Sequence, residues 1–226
     1  MNQLYRDSKA AWKREWKHYS FRYELYGTLF IWINIIAIHA PILEFVEFRK
    51  IVIPYNDPVL AILPCYDFSI PIFFTLYISA IVGIISCSMR PRLLLFAIQT
   101  YALVQVIRLI TLIMVPLDSP THLVLLHDPL LEMTFYKGNA YTRDLFFSGH
   151  VATMSTFYFL EQNKWMKQFF LFALIAMIIM IILQHIHYTI DVIGGIFFAK
   201  LCQKLIINYK DVIKLHFENY YKRWKT

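Results

Sequence analysis

The sequence predicts an all-α integral membrane protein, with six transmembrane helices in a single domain and both termini cytoplasmic. Three observations carry that prediction. Hydrophobic residues make up 58% of the 226 and charged residues 16%, with a mean hydropathy of +0.50, which leaves too little polar surface for a soluble domain of this size. Five apolar stretches reach or approach the roughly 17–25 residues that cross a hydrocarbon core as a helix. Lys and Arg gather at the two ends and in alternate loops, the bias that sets orientation in a membrane.

Residues 1–23 form a basic segment containing Lys9, Lys13, Arg14 and Lys17. It lacks the apolar core of a signal peptide, so the first span is expected to be an uncleaved anchor. The expected spans are 26–45, 68–88, 93–115, 145–160, 169–183 (extending to about 187) and 190–206. The fourth is short and interrupted by Ser148-Gly149-His150, and it earns its place because the others then alternate sensibly. With six spans, the basic termini, Arg90, Arg92, Lys164 and Lys167 share the cytoplasmic face, while Arg49, Lys50, Lys137 and Arg143 face outward and Arg108 lies within a span. The membrane domain covers 24–207. Residues 208–226 read as a basic amphipathic helix on the inner leaflet. The two long external connections, 46–67 and 116–143, are rich in proline and are expected to be ordered turns beside the site.

Several function classes fall away. Cys65, Cys87 and Cys202 are far apart, with neither zinc-site spacing nor a disulfide framework. The formal charge of +7 comes without a nucleic-acid recognition motif, so no nucleic-acid partner is expected.

Two clusters carry chemistry: Ser148-Gly149-His150, and His187-Tyr188-Thr189-Ile190-Asp191. Ionisable groups at a membrane edge are costly and tend to be functional. The six-span threading brings His150, His187 and Asp191 to one exoplasmic rim, although spacing alone could have separated them. His187 and Asp191 are four apart, which places them on neighbouring turns of one helix face. The carboxylate would fix the imidazole tautomer and leave the other nitrogen as a nucleophile. Ser148 and Gly149 are read as the cap of the helix that bears His150, where free backbone amides attract an anion. A metal site built from His150, His185, His187 and Asp191 is the competing reading. Residues two apart, such as His185 and His187, point in different directions on a helix, so no metal and no cofactor is expected.

At these residues the chain resembles the sphingomyelin synthase-like branch of the type 2 phosphatidic acid phosphatase (PAP2) superfamily. Asp144-Leu-Phe-Phe-Ser-Gly-His150 resembles that branch's D-x-x-x-S-G-H element, and His185-Ile-His-Tyr-Thr-Ile-Asp-Val192 its H-x-H-Y-[ST]-x-D-V element. Arg108-Leu-Ile-Thr111 and the segment 57–71 resemble two further elements more loosely. The resemblance implies a phospholipid donor that is attacked at phosphorus by His187. Asp191 would support the attack and His150 would protonate the departing diacylglycerol. A ceramide or diacylglycerol hydroxyl would then take the phospho-head group from the phosphohistidine. With water as acceptor, the same site implies a lipid phosphate phosphatase or a phospholipase C-like hydrolase. A non-catalytic membrane scaffold is the reading from a different class.

The chain departs from the wider superfamily at its phosphate-binding cations. Gly83 stands where a lysine would precede Arg90-Pro91, Ile181 where an arginine would precede the nucleophile, and Val151 where the branch carries threonine. Arg108 and Arg143, both near the external rim, are the substitute cations, with Asp67 as a potential partner for Arg108. The substrate-binding set is therefore Arg108, Arg143, Asp144, Ser148, Gly149, His185 and Tyr188. Phe135, Tyr136 and Tyr141, with Asp118, Asp128 and Glu132, are read as interfacial aromatics and solvated charges, which leaves the head group open.

Overall fold

The computed structural model describes residues 2–126 and 141–223. These form seven helices: α1 (Asn2–Trp16), α2 (Tyr19–Glu47), α3 (Ser69–Ser88), α4 (Pro91–Met114), α5 (Gly149–Leu160), α6 (Lys164–Leu183) and α7 (Thr189–Arg223). Among the described residues there is no strand, only an isolated bridge between Ile53 and Leu117.

Four helices are long and apolar enough to cross a bilayer: α2, α3, α4 and α6. The multi-pass membrane character expected from the sequence follows from them, and side chains such as Phe30, Ile33, Ile70, Phe74 and Phe172 are exposed on their outer faces. The other two expected spans, 145–160 and 190–206, are not among these four. At 12 residues, α5 is about 18 Å long, short of a hydrocarbon core of about 30 Å. It packs against α3, α4, α6 and α7, and Val151, Ala152, Met154 and Ser155 are fully enclosed. The stretch 190–206 is the first half of α7, where Asp191, Lys200 and Lys204 interrupt the apolar run. Expected to give way to a separate tail at 208, α7 instead runs unbroken for 35 residues. The basic N-terminal segment is helical as α1, held to the bundle by Trp12 Nε1 donating to the Ser88 carbonyl at 2.8 Å and by Glu15 pairing with Arg92 at 2.7 Å.

Local chemistry sets the helix ends. Asp67 Oδ1 accepts from the Ser69 amide and hydroxyl and starts α3. Pro91 sits in the first turn of α4, where its missing N–H costs nothing. Asn163 accepts from the amides of Trp165 and Met166 at the start of α6. Arg90 pairs with Glu161 at 3.5 Å, at the end of the bundle opposite His150. The two long connections between helices are tied to each other where they are described. The Ile53 amide donates to the Pro116 carbonyl, the Asp118 amide to the Ile53 carbonyl, and Cys65 Sγ contacts the His122 carbonyl. All three cysteines are free thiols.

Glycine permits the closest helix approaches. A Cβ on Gly195 would lie 2.9 Å from the Ser148 carbonyl oxygen and 3.2 Å from the Ala152 amide, and one on Gly83 would lie 2.4 Å from the Phe157 ring. The first lets α7 press onto the start of α5. The second seats Phe157 against α3.

Candidate active site

The two motif segments are joined directly. The Ser148 amide donates to the Asp191 carbonyl at 3.1 Å. Ser148 is fully buried and caps α5 as expected, its hydroxyl accepting from the Val151 amide at 3.5 Å.

His187 and Asp191 meet, but not as one helix face. α6 ends at Leu183 and α7 starts at Thr189, so His187 stands in the intervening turn. The Asp191 carboxylate folds back over the helix start. Its Oδ2 accepts from the Tyr188 amide at 2.9 Å and lies 3.3 Å from His187 Nδ1. Both residues are buried. A carboxylate at Nδ1 holds that nitrogen protonated and leaves Nε2 with its lone pair. A second carboxylate supports the same turn from a distance. Asp57, from the connection between α2 and α3, accepts from the Thr189 amide at 2.6 Å and the Thr189 hydroxyl at 3.1 Å. Burial raises the Asp57 pKa, but these hydrogen bonds outweigh it and hold the carboxyl below its ordinary value.

A cavity of about 610 Å³ lies among α2, α3, α4 and α5. His39, Arg108, Asp144, Gly149 and His150 line one end, and Gly83, Ile84, Leu94, Ala97 and Leu160 line the other. Arg108 and Leu94 are 14 residues apart on α4, a distance of about 21 Å along its axis. The His150 ring is edge-on to Phe73 at 5.9 Å.

At the polar end Arg108 is almost wholly buried and pairs with Asp144 at 2.5 Å. Its Nε donates to the Phe147 carbonyl at 3.0 Å. The guanidinium lies over Gly149, where an added Cβ would be 3.0 Å from Nε. Burial pushes the Asp144 pKa up, but the charge and hydrogen bond of Arg108, helped by His187 and His39, hold it below the ordinary carboxylate value. This end combines a cation, a helix N-terminus and an imidazole, a setting suited to an anion.

Three residues expected to bind substrate are used elsewhere. Arg143 donates to the Glu47 and Arg49 carbonyls at 2.7 and 3.3 Å and pairs with Asp118 at 3.1 Å. It closes the C-terminus of α2, where free carbonyls favour a cation. His185 takes a left-handed φ of 56° just past the end of α6, a position usually held by glycine or asparagine. Its side chain lines a separate cavity with Cys65, Thr121 and His122, and its Nδ1 lies 3.5 Å from the Thr121 carbonyl. Tyr188 is buried, donates to the Asp118 carbonyl at 3.0 Å and packs edge-on to Tyr55 at 5.1 Å. Burial, together with Asp191 and Asp118, pushes its phenol up to about 12, so it stays neutral and buttresses the turn. Among the described residues no group of three or more His, Cys, Asp or Glu is placed to hold a metal ion. Of the head-group aromatics, Tyr141 packs on Leu43, Val46 and Leu112. Phe135, Tyr136, Asp128, Glu132 and Lys137 lie outside the described residues.

Sequence reasoning missed several site-building residues. Asp57 was visible only as part of a loop. Gln184 is fully buried; its amide bridges the Phe68 amide and the Ser69 hydroxyl. Gly194-Gly195, three residues after Asp191, was a readable signal for a close helix approach. His39, the one histidine of the first span, was another.

The fold and site therefore define a multi-pass membrane protein with a buried His–Asp pair beside an apolar cavity with a basic mouth. Residues 143–208 match the family model described as PAP2 superfamily C-terminal, a stretch that contains both histidine motifs. The match covers less than a third of the chain and makes this stretch similar to the PAP2 superfamily, which comprises enzymes of the phosphatase and phosphotransferase type. No curated protein and no solved structure matches the chain.

Proposed function

We propose that the protein is a lipid phosphotransferase that moves a phospho-head group from a glycerophospholipid to a ceramide or diacylglycerol hydroxyl on the exoplasmic face of the membrane. In this reading α5 and the first half of α7 complete a six-helix membrane domain, and both termini are cytoplasmic. One observation supports the reading: the Ser148–Asp191 hydrogen bond ties the segment that carries the His187–Asp191 pair to the start of α5, whose Gly149 and His150 line the cavity with Arg108. The walls suit acyl chains, the Arg108 end suits the phosphate, and Nε2 of His187 suits the attack.

His187 Nε2 forms a bond to phosphorus as the bond to the diacylglycerol oxygen breaks, and His150 gives that oxygen a proton. The acceptor hydroxyl then loses its proton to His150 and attacks phosphorus, the phosphorus–nitrogen bond breaks, and His187 is restored. Asp191 holds the tautomer and stabilises the positive imidazole. Arg108 and the first amides of α5 stabilise charge on the phosphoryl oxygens.

The test uses purified protein in nanodiscs with head-labelled phospholipids, with and without ceramide or diacylglycerol, comparing wild type with His187→Ala. Label on an acceptor lipid that vanishes in the variant supports the transferase. Label released only into water moves the assignment to a hydrolase. Equal products from both proteins would remove His187 from the chemistry.

A further inference from the structure

The polar end of the cavity is short of positive charge. The basic side chains among its lining residues are His39, Arg108 and His150. Arg108 faces Asp144 at 2.5 Å, so that pair carries no net charge. Arg143, the other basic residue expected at the rim, is taken up by Asp118 and by the carbonyls of Glu47 and Arg49. In the reaction above His150 gives up its proton in one half and recovers it in the other, so its charge is not constant. A phosphoryl anion in a cavity with apolar walls needs a counter-charge, because an unpaired buried charge is expensive.

His39 is placed to supply it. Between Tyr26 and Glu44 it is the one ionisable side chain of α2, and a histidine within an apolar span is costly unless used. Ile35, His39 and Leu43 recur at four-residue intervals, a single row along the helix. Ile35 packs with Ala102 and Leu109 of α4, and Leu43 packs with Leu112. His39, between them in the row, is therefore turned towards α4 at the level of Arg108. Its ring lines the cavity with Arg108, Asp144, Gly149 and His150. Arg108 and Asp144 are the charges close enough to act on it.

We infer that His39 is a phosphate-binding residue, which donates a hydrogen bond to a phosphoryl oxygen from the α2 side and supplies the positive charge that the Arg108–Asp144 pair does not. This rests on the reading of the cavity as the lipid chamber. The ring takes a proton from water as the anion enters and returns it as the anion leaves, with no bond of the lipid made or broken. The titratable groups that share its end of the cavity are Arg108 and Tyr101 from α4, Tyr77 from α3, His150 from α5 and Asp144 from the segment before α5. Arg108 and Asp144 offset one another, so the incoming phosphate is the added charge that favours the imidazolium. A hydrogen bond between charged groups corresponds to roughly ten- to hundredfold in affinity.

Native mass spectrometry of the full chain in a non-ionic detergent tests this, using equal amounts of phosphatidic acid and a diacylglycerol of matched acyl length. Wild type should retain the phosphate lipid preferentially. His39→Ala should lower its retention at least tenfold and leave that of diacylglycerol unchanged. His39→Gln keeps an N–H donor but no charge, and should recover only part of the loss. Unchanged phosphate retention in His39→Ala overturns the proposal, and so does a His39→Gln equal to wild type, which alone decides if His39→Ala fails to fold. An equal loss of both lipids with a fall in Tm makes His39 a structural residue and overturns it as well. Wild type that holds the two lipids alike removes the phosphate from this cavity, and the proposal falls with the reading it rests on. The same comparison in a His187→Ala background needs no turnover, so failure of His39 is distinguished from failure of the catalytic reading.

Discussion

The Ser148 amide donates to the Asp191 carbonyl at 3.1 Å, tying the residue that caps the His150 helix to the residue that orients His187. Histidines on different elements of a helical bundle would otherwise drift with every shift of the helices. Here one backbone bond and one glycine contact hold them in register, and the loop carboxylate Asp57 fixes the start of the second element.

Gly195→Ala tests that register. The new Cβ would meet the Ser148 carbonyl at 2.9 Å. The contact is with backbone, so the helices must part. A loss of about 1–3 kcal/mol is expected, read as a lower Tm in detergent. Activity should fall further than the remaining folded fraction accounts for.

Asp191→Asn keeps the size and an acceptor for the Tyr188 amide but removes the charge facing His187 Nδ1. Turnover should fall by roughly 10²–10⁴-fold while Tm changes little, because the loss is one of tautomer control and charge stabilisation. Stopped assays on labelled lipid, paired with thermal melts, separate the two effects.

The Arg108–Asp144 pair predicts a pH signature. Asp144 has a folded pKa below its ordinary value, so its contribution is fully present above the unfolded carboxylate range and is lost as pH falls through the folded value. Asp144→Asn leaves Arg108 buried without its counter-charge and should cost about 2 kcal/mol near neutral pH. Melts of both proteins across pH should show a wide gap at pH 7 that narrows on acidification below about pH 4. A gap independent of pH would show that the ion pair is not its source.

What the sequence made legible was what short stretches decide alone. Apolar length marked α2, α3, α4 and α6, and the Ser148 cap followed from residue type. The motif spacing correctly paired His187 with Asp191, but for the wrong geometric reason, since the carboxylate reaches back over a turn. The illegible part was tertiary. Nothing local says that α5 is enclosed by four neighbours, or that Asp57 caps a helix 132 residues later. Arg143 and Arg108 look alike in sequence, yet only Arg108 faces the cavity, because the carbonyls ending α2 take the other. His185 left the site through its left-handed backbone, a conformation its residue type does not announce.

Gly83 controls the deep end of the cavity. Its missing side chain makes room for Phe157: an added Cβ would lie 2.4 Å from that ring. The clash is with a side chain, so the ring can move. Phe170 is stacked on the ring at 5.4 Å with an interplanar angle of 19°, which blocks retreat towards α6. Phe157 and Gly83 both line the cavity, so the open direction is inward, among Ile84, Ala97 and Leu160, where an acyl chain would end. Gly83→Ala should therefore shorten the chamber without touching the polar mouth. Turnover of short-chain lipids should stay close to wild type, while long-chain lipids should lose severalfold, about tenfold for each 1.4 kcal/mol of displaced contact. A chain-length series with both proteins measures this directly. An equal loss at every length would place the acyl chains outside this cavity.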